Sequence, residues 1–461
     1  MQKNKLLFVT FYYPPAGGVA LPGSQRAVKF VRYLEKQSVW VLTVETSCYP
    51  PFVSRDFDRE VPVKGEKIAF ARSYDLFQVL LALRRALRRA LGRGRGKVEA
   101  QGMAAAGGSE ALPRHPRSLA QKVKDFVYDL CHYPDGASGW ILPALRAGRS
   151  IVRKEKIDLV LASGMPWSAL VVAWLLHKVT GVSFAVDFRD PWIGNPFHES
   201  KGVLLDALGR YLERRIVHDA ALVSANTEPL RDEFLARYPE QPRSKFVVLS
   251  NGYDPEDFRT LQPDAETAAE SGPDRLVLAH AGFLYGRRDP SPLLEALERL
   301  IASDRCQPGE FLFLQIGTVQ LDYDFHERYR SLMERGVMRD LGPFPFAECL
   351  RELQRSDVLV LIQPNTRTQV PSKLYDYLCL NRPILTITPH DGALGRMVTQ
   401  HRFGDLFDQT DVAGIADRLL ELLEQKKIAG TLRADYHERD FYNVQRIAAV
   451  LDDHLIEAAR S

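Results

Sequence analysis

The sequence predicts an α/β protein built from two doubly wound, Rossmann-like domains with parallel sheets, facing each other across a cleft. Three observations carry this expectation. The chain has 461 residues, against the ~100–200 of a usual compact domain. Short apolar runs alternate with longer amphipathic stretches almost throughout, the pattern of βαβ units. Between the two halves the alternation breaks over 260–274, a polar stretch rich in proline and acidic residues that reads as a linker.

The strand candidates of the first half are 6–10, 39–44, 157–163, 184–188, 221–225 and 246–249, and those of the second are 276–281, 311–316, 358–362 and 384–388. Most are β-branched or aromatic and continuously apolar, as strands covered by helices on both faces must be. Helical periodicity runs over 24–36, 168–179, 204–218, 292–301 and 412–424. The domains are therefore expected at 1–259 and 275–430, with 431–461 forming a last helix that docks back on the first domain. Within the first domain, about 92–118 contains Gly-Arg-Gly-Arg-Gly-Lys and Ala-Ala-Ala-Gly-Gly, a composition that buries no core and reads as a flexible insertion.

Composition narrows the classes. Hydrophobic residues make up 45% and charged residues 26%, with a formal net charge of +3, so the whole chain points to no particular partner. Five scattered cysteines without a CxxC pair read as reduced thiols rather than a disulfide framework or a zinc site. The first apolar run is too short for a signal peptide, and no stretch approaches the ~18 apolar residues of a spanning helix. The expectation is a soluble, cytoplasmic protein whose membrane contact, if any, is peripheral.

The first strand ends in Phe11-Tyr12-Tyr13-Pro14-Pro15-Ala16-Gly17-Gly18, ahead of a helix with Arg26 and Lys29. Glycines between strand and helix let backbone N–H groups approach an anion, although a plain tight turn reads equally well. Ser163-Gly164-Met165-Pro166 and Asp187-Phe188-Arg189-Asp190-Pro191-Trp192 follow later strand candidates. Asn251-Gly252-Tyr253-Asp254 closes the first half, and His280-Ala281-Gly282-Phe283-Leu284-Tyr285-Gly286-Arg287 opens the second. Pro371-Ser372-Lys373-Leu374-Tyr375-Asp376-Tyr377-Leu378 lies further on. In this order and spacing the motifs resemble bacterial enzymes of glycosyltransferase family 4, over nearly the whole chain except 50–120.

The resemblance implies the GT-B fold, with the acceptor on the first domain and a nucleotide-sugar donor on the second. It further implies transfer with retention of configuration. Donor binding would fall to Gly17, Gly18, Gly282, Arg287, Arg288, Ser372, Lys373, Leu374 and Asp376. Proline, serine and lysine at a helix start leave amides and a cation for a diphosphate, and Asp376 lies one turn on from Ser372, placed to accept ribose hydroxyls. The competing reading of Asp376 is a solvated carboxylate. The family's usual pair of acids, eight positions apart, is represented here by Thr368 and Asp376. Arg287 is favoured over Arg288 to neutralise the departing diphosphate, one of the two being an exposed arginine. No Asp-x-Asp of the metal-binding type is read at a strand end, so no metal or other cofactor is expected.

Asp187 and Asp190 are read as catalytic carboxylates, and Arg189 and Trp192 as acceptor-side groups. An Arg-bridged structural turn with Trp192 in the core is the equal alternative. His280 reads as a satisfied core histidine or as a cleft residue. The segment around Arg84, Arg85, Arg88 and Arg89 interleaves arginines with leucines at helical spacing, which suits contact with an anionic membrane and hence a lipid-linked or envelope polysaccharide acceptor. A helix packing its leucines inward is the alternative, and no aromatic platform supports nucleic acid. Two other functions share the pattern: a nucleotide-sugar 2-epimerase, and a non-catalytic binding subunit of the same fold.

Overall fold

The computed structural model describes residues 3–17, 21–50, 53, 61–90, 118–195, 200–259, 261, 272–286, 288–363 and 366–460. Gly18, Arg287, most of the expected linker, all but the last residue of the insertion expected over about 92–118, and the side chains of Arg88 and Arg89 lie outside the described residues.

The first half runs β1 (Asn4–Val9), α1 (Leu21–Tyr33), β2 (Gln37–Val44), β3 (Lys67–Ala71), α2 (Leu76–Ala90), α3 (Leu119–Cys131), α4 (Ile141–Glu155), β4 (Leu159–Gly164), α5 (Ser168–Thr180), β5 (Ser183–Phe188), α6 (Val203–Asp219), β6 (Leu222–Ala225), α7 (Glu228–Arg237), β7 (Phe246–Val248) and α8 (Pro255–Phe258). The second runs β8 (Leu276–Ala281), β9 (Leu284–Tyr285), α9 (Ser291–Ala302), β10 (Phe311–Ile316), β11 (Val319–Gln320), α10 (Phe325–Arg328), α11 (Arg330–Glu334), β12 (Met338–Gly342), α12 (Phe346–Arg355), β13 (Val358–Ile362), α13 (Lys373–Cys379), β14 (Ile384–Ile387), α14 (Ala393–His401), β15 (Asp405–Phe407), α15 (Val412–Ala429) and α16 (Val444–Ala458). Two compact units result, one of Met1–Val31, Lys36–Val223 and Leu455–Ser461, the other of Arg32–Glu35 and Ser224–His454.

One sheet has the strand order β3-β2-β1-β4-β5-β6-β7, the other β12-β10-β8-β13-β14-β15. Both are doubly wound, because the chain reverses direction across each sheet between its first and fourth strands. The pairs β1·β4 and β8·β13 are parallel, so each sheet has a switch point where loops diverge at the carboxyl ends and leave a crevice.

Strand residues of the second sheet alternate between two cores. Leu276, Leu278, Phe311, Phe313, Val358 and Val360 face the core that includes Leu297 and Leu419, from α9 and α15. Val277, Ala279, Leu312, Leu314, Leu359 and Leu361 face Leu353, Leu374 and Leu394, from α12, α13 and α14. Burial on both faces explains the unbroken apolar runs, and each fully buried leucine or phenylalanine stabilises by about 1.5–3 kcal/mol. Local signals set the helix ends. Thr227 caps α7 by accepting from the Leu230 N–H at 3.3 Å, Asp411 caps α15 by accepting from the Gly414 N–H at 2.9 Å, and α5 stops at Gly181, which has a φ of 75°.

At the amino end of the second sheet a buried clamp ties three elements together. Asp357, just before β13, accepts from the Val277 N–H at 2.8 Å and from the Lys426 ammonium of α15 at 2.5 Å. Lys426 also donates to the Arg275 carbonyl. The strands absent from the sequence reading are β3, β9, β11, β12 and β15. Of these, β3, β12 and β15 are edge strands.

Candidate functional site

In the second unit the switch point places two cations beside a glycine. β8 ends in buried His280 and leads into Gly282, whose φ of 134° disfavours any side chain. A Cβ on Gly282 would lie 1.8 Å from Lys373 Nζ, so the ammonium occupies the space that the missing side chain leaves. Gly317, after β10, has a φ of 135°, and a Cβ there would meet the Gly282 carbonyl oxygen at 2.5 Å. Two bare backbones thus open the carboxyl ends of neighbouring strands.

Arg288 supplies the second cation. It donates through Nη2 to Gln363 Oε1 at 2.7 Å, at the end of β13, and its guanidinium stands 5.2 Å from the Tyr285 ring. Its Nε is buried without a partner. Neither Lys373 nor Arg288 pairs with a carboxylate among the described residues. Burial, and then the neighbouring Arg288, push the Lys373 ammonium down to about 7. Burial lowers Arg288 as well. Two partly desolvated cations without counter-ions form a site that an anion would complete.

His280 is fully buried at the end of β8, within the field of the Lys373 and Arg288 charges. Its Nδ1 lies 2.8 Å from Gln315 Oε1, while Gln315 Nε2 donates to the Gly282 carbonyl at 2.9 Å. That chain makes Nδ1 the donor and leaves Nε2, buried and unpartnered, as a bare acceptor. Burial and the Lys373 charge hold the imidazole neutral, well below its ordinary value. The Tyr377 hydroxyl accepts from the Ala281 N–H at 3.0 Å and so ties α13 to the end of β8.

The structure brings Gly282, Arg288 and Lys373 together, with Ser372 just before α13 and Asp376 on it. Asp376 is buried rather than solvated. Leu374 departs from the expectation of an open amide: its N–H donates to the Pro371 carbonyl at 3.2 Å and its side chain is core. The site therefore rests on side-chain cations more than on the start of a seven-residue helix. Gln315 and Gln363 were missed by the motifs, although each is a lone polar residue within or just after an apolar strand. The run Asp322-Tyr323-Asp324, directly after β11, was also passed over; Asp324 serves there as the cap of α10. Among the described residues no group of three or more His, Cys, Asp or Glu side chains is placed to hold a metal.

A separate cavity of about 890 Å³ in the second unit is lined by Glu228, Asp232, Arg367, Thr368 and Arg396 among others, and by none of the cation-site residues. Thr368 accepts through its carbonyl from Thr227 Oγ1 at 2.5 Å.

In the first unit, Asp187 at the end of β5 is held in a buried clamp. Arg26 donates to its two oxygens at 3.0 and 2.8 Å, and Ser163 Oγ donates at 2.7 Å. Arg189 donates through Nε to the Gly164 carbonyl at 3.0 Å, and its guanidinium lies 2.6 Å from where a Gly23 Cβ would stand. Burial lowers this arginine despite Asp190 and Asp187 nearby. Trp192 is 3% exposed and stacks on Trp167 at 5.7 Å. This is the Arg-bridged turn with a core indole, the structural one of the two readings above. Gly17 is buried at the end of the β1 loop. Arg84 and Arg85 are exposed on α2.

With this geometry in place, known proteins divide by what they match. Residues 141–252 match the glycosyl transferase 4-like domain family. A search of the curated proteins returned no match to the sequence. Among solved structures, HepE from Anabaena in complex with UDP superposes with a TM-score of 0.58 at 14% identity, covering 98% of this chain and 100% of that one. A further structure of HepE contains UDP-glucose. Sucrose-phosphate synthase from Thermosynechococcus elongatus gives 0.60 at 14% identity, covering 99% and 98%. A glycosyltransferase from Rickettsia africae gives 0.60 at 11%, covering 99% of each chain. At these identities the likeness is one of fold, and it agrees with the GT-B architecture that the motifs imply.

Proposed function

We propose that this chain, with its GT-B fold and its glycosyl transferase 4-like segment over 141–252, transfers a sugar from a nucleoside-diphosphate donor to an acceptor. The observation that carries the reading is the convergence of Lys373 and Arg288, neither paired with a carboxylate, at Gly282 on the switch point of the second sheet. A diphosphate supplies the missing counter-charge. As the glycosidic bond to the donor breaks, the leaving group gains negative charge, and fixed, partly desolvated cations stabilise it more than they stabilise the intact donor. Lys373 and Arg288 fill that role without a metal. His280, through its bare Nε2, is placed to accept from a donor hydroxyl, and Asp376 from the ribose.

The motif resemblance adds retention of anomeric configuration. It also adds an acceptor on the first unit, lipid-linked or part of a growing envelope polysaccharide, with the reaction on the cytoplasmic side of the membrane. Asp187 then serves as a positioning residue, since its oxygens are engaged by Arg26 and Ser163. Asp190 is the carboxylate of that loop assigned to the acceptor.

A thermal-shift screen with UDP, GDP, ADP, TDP and CMP tests the donor site, run on the wild type and on Lys373→Ala. One nucleoside diphosphate is expected to stabilise the wild type selectively and to leave the variant unmoved. Stabilisation by none, or equal stabilisation of Lys373→Ala, overturns the reading.

A further inference from the structure

α2 and α3 carry an apolar surface that faces solvent. Along α2, Leu76, Leu80, Leu83 and Leu87 follow one another at intervals of four, three and four residues, which lines them up on one helix face. All four are exposed, Leu83 by 56% and Leu87 by 61%. The helix is anchored instead by Phe77, which is buried and meets Tyr128 of α3 edge-on at 5.2 Å between ring centroids. α3 repeats the pattern: Leu119, Val123, Phe126 and Leu130 keep the same spacing and are exposed, Leu119 by 79%. A helix that packs on its own protein turns such a stripe inward, and here two adjacent helices turn it outward. Large apolar side chains exposed in this way on two adjacent helices mark a docking site.

Charge selects the occupant. The fifteen residues of α2 include four arginines and no acid, and Arg84 and Arg85 are exposed beside the stripe. α3 adds Lys122 and Lys124 against Asp125 and Asp129, so the pair is net positive. A second copy of the chain would set cation against cation, whereas an anionic bilayer offers apolar depth and negative charge together. No helix among the described residues is long and apolar enough to cross a membrane, so the pair lies on the surface. We propose that α2 and α3 form a two-helix platform that seats on anionic lipid, with Phe126 and Tyr128 at the headgroup level. The proposal is independent of the donor site and supplies a place for a lipid-linked acceptor.

Flotation of the full chain with phosphatidylcholine vesicles, with and without phosphatidylglycerol, tests it. The probes are Leu83→Glu/Leu87→Glu and Val123→Glu/Phe126→Glu, all at exposed positions. The wild type is expected on the phosphatidylglycerol vesicles, and each variant is expected to bind them about tenfold more weakly or less, with unchanged melting and nucleotide response. Equal binding by wild type and variants, or no preference for phosphatidylglycerol, overturns the proposal. So does a wild-type dimer in size-exclusion light scattering that the variants dissociate, which assigns the surface to a second copy. A wild type that ignores vesicles yet is still stabilised by a nucleotide refutes the platform and leaves the donor site standing.

Discussion

Binding of a nucleotide sugar is expected to draw a proton from solvent at mildly alkaline pH, and Lys373 is where that proton goes. In the free protein, burial and Arg288 bring this lysine down to about 7. A diphosphate set against the ammonium opposes both causes and returns it toward the ordinary lysine range. At pH 8 roughly one free site in eleven is protonated, so binding takes up about 0.9 proton, and at pH 6 about 0.1. The affinity therefore falls about tenfold from pH 6 to pH 8. A nucleotide sugar esterifies its diphosphate at both ends and does not itself titrate in this window, so the proton belongs to the protein.

Titration calorimetry at pH 8 in two buffers of different ionisation enthalpy reads the uptake directly. Lys373→Arg keeps its charge throughout and should bind with a flat pH profile. A wild type without buffer dependence at pH 8, or a Lys373→Arg variant with the same slope, refutes the reasoning. The sign for the free protein follows from the same depression. Between about 7 and the ordinary lysine value the unfolded chain holds a proton that the folded chain lacks, so this lysine makes stability rise with pH across that window.

Two further substitutions separate the site from the scaffold. Gly282→Ala places a methyl where the lysine ammonium stands and forces a positive φ on alanine, a strain of about 1–3 kcal/mol; the flexible lysine yields, so thermal melting should show a folded protein that no longer responds to nucleotide. Lys426→Met removes the ammonium from buried Asp357 and is expected to cost about 3–5 kcal/mol in denaturant unfolding, and a loss below about 1 kcal/mol would contradict the clamp.

How much was legible in the chain depended on position in the sheet. Interior strands such as β1, β8, β10 and β13 are covered on both faces, so their apolar runs stand out. β3, with Lys67 at its start, β12, with Arg339 and Asp340, and the three-residue β15 sit at sheet edges, where burial asks less of the sequence. Lys373 and Gly282 were found through their motifs. Gln315 and Gln363 were not, because a single polar residue in an apolar run carries no spacing, and their use as relays to Gly282 and Arg288 exists only once β10 and β13 flank β8. The preference for Arg287 over Arg288 falls on a residue outside the described ones, and in sequence adjacent arginines differ only in the direction the backbone gives them. Asp187 was read equally as a catalytic carboxylate or as part of an Arg-bridged turn, and its partner Arg26, 161 positions away along the chain, could not be named from spacing.

The Asp357 clamp lies at one end of the second sheet and the glycine-lined cations at the other. Cohesion and chemistry thus occupy opposite rims of a single layer. At the first rim the buried Lys426 and Asp357 match each other, and at the second, the rim proposed to meet a ligand, Lys373 and Arg288 are left without a carboxylate among the described residues. Loops at the second rim are consequently free to diverge, and a lineage could exchange one nucleotide or sugar for another there while the fastening beneath stayed the same.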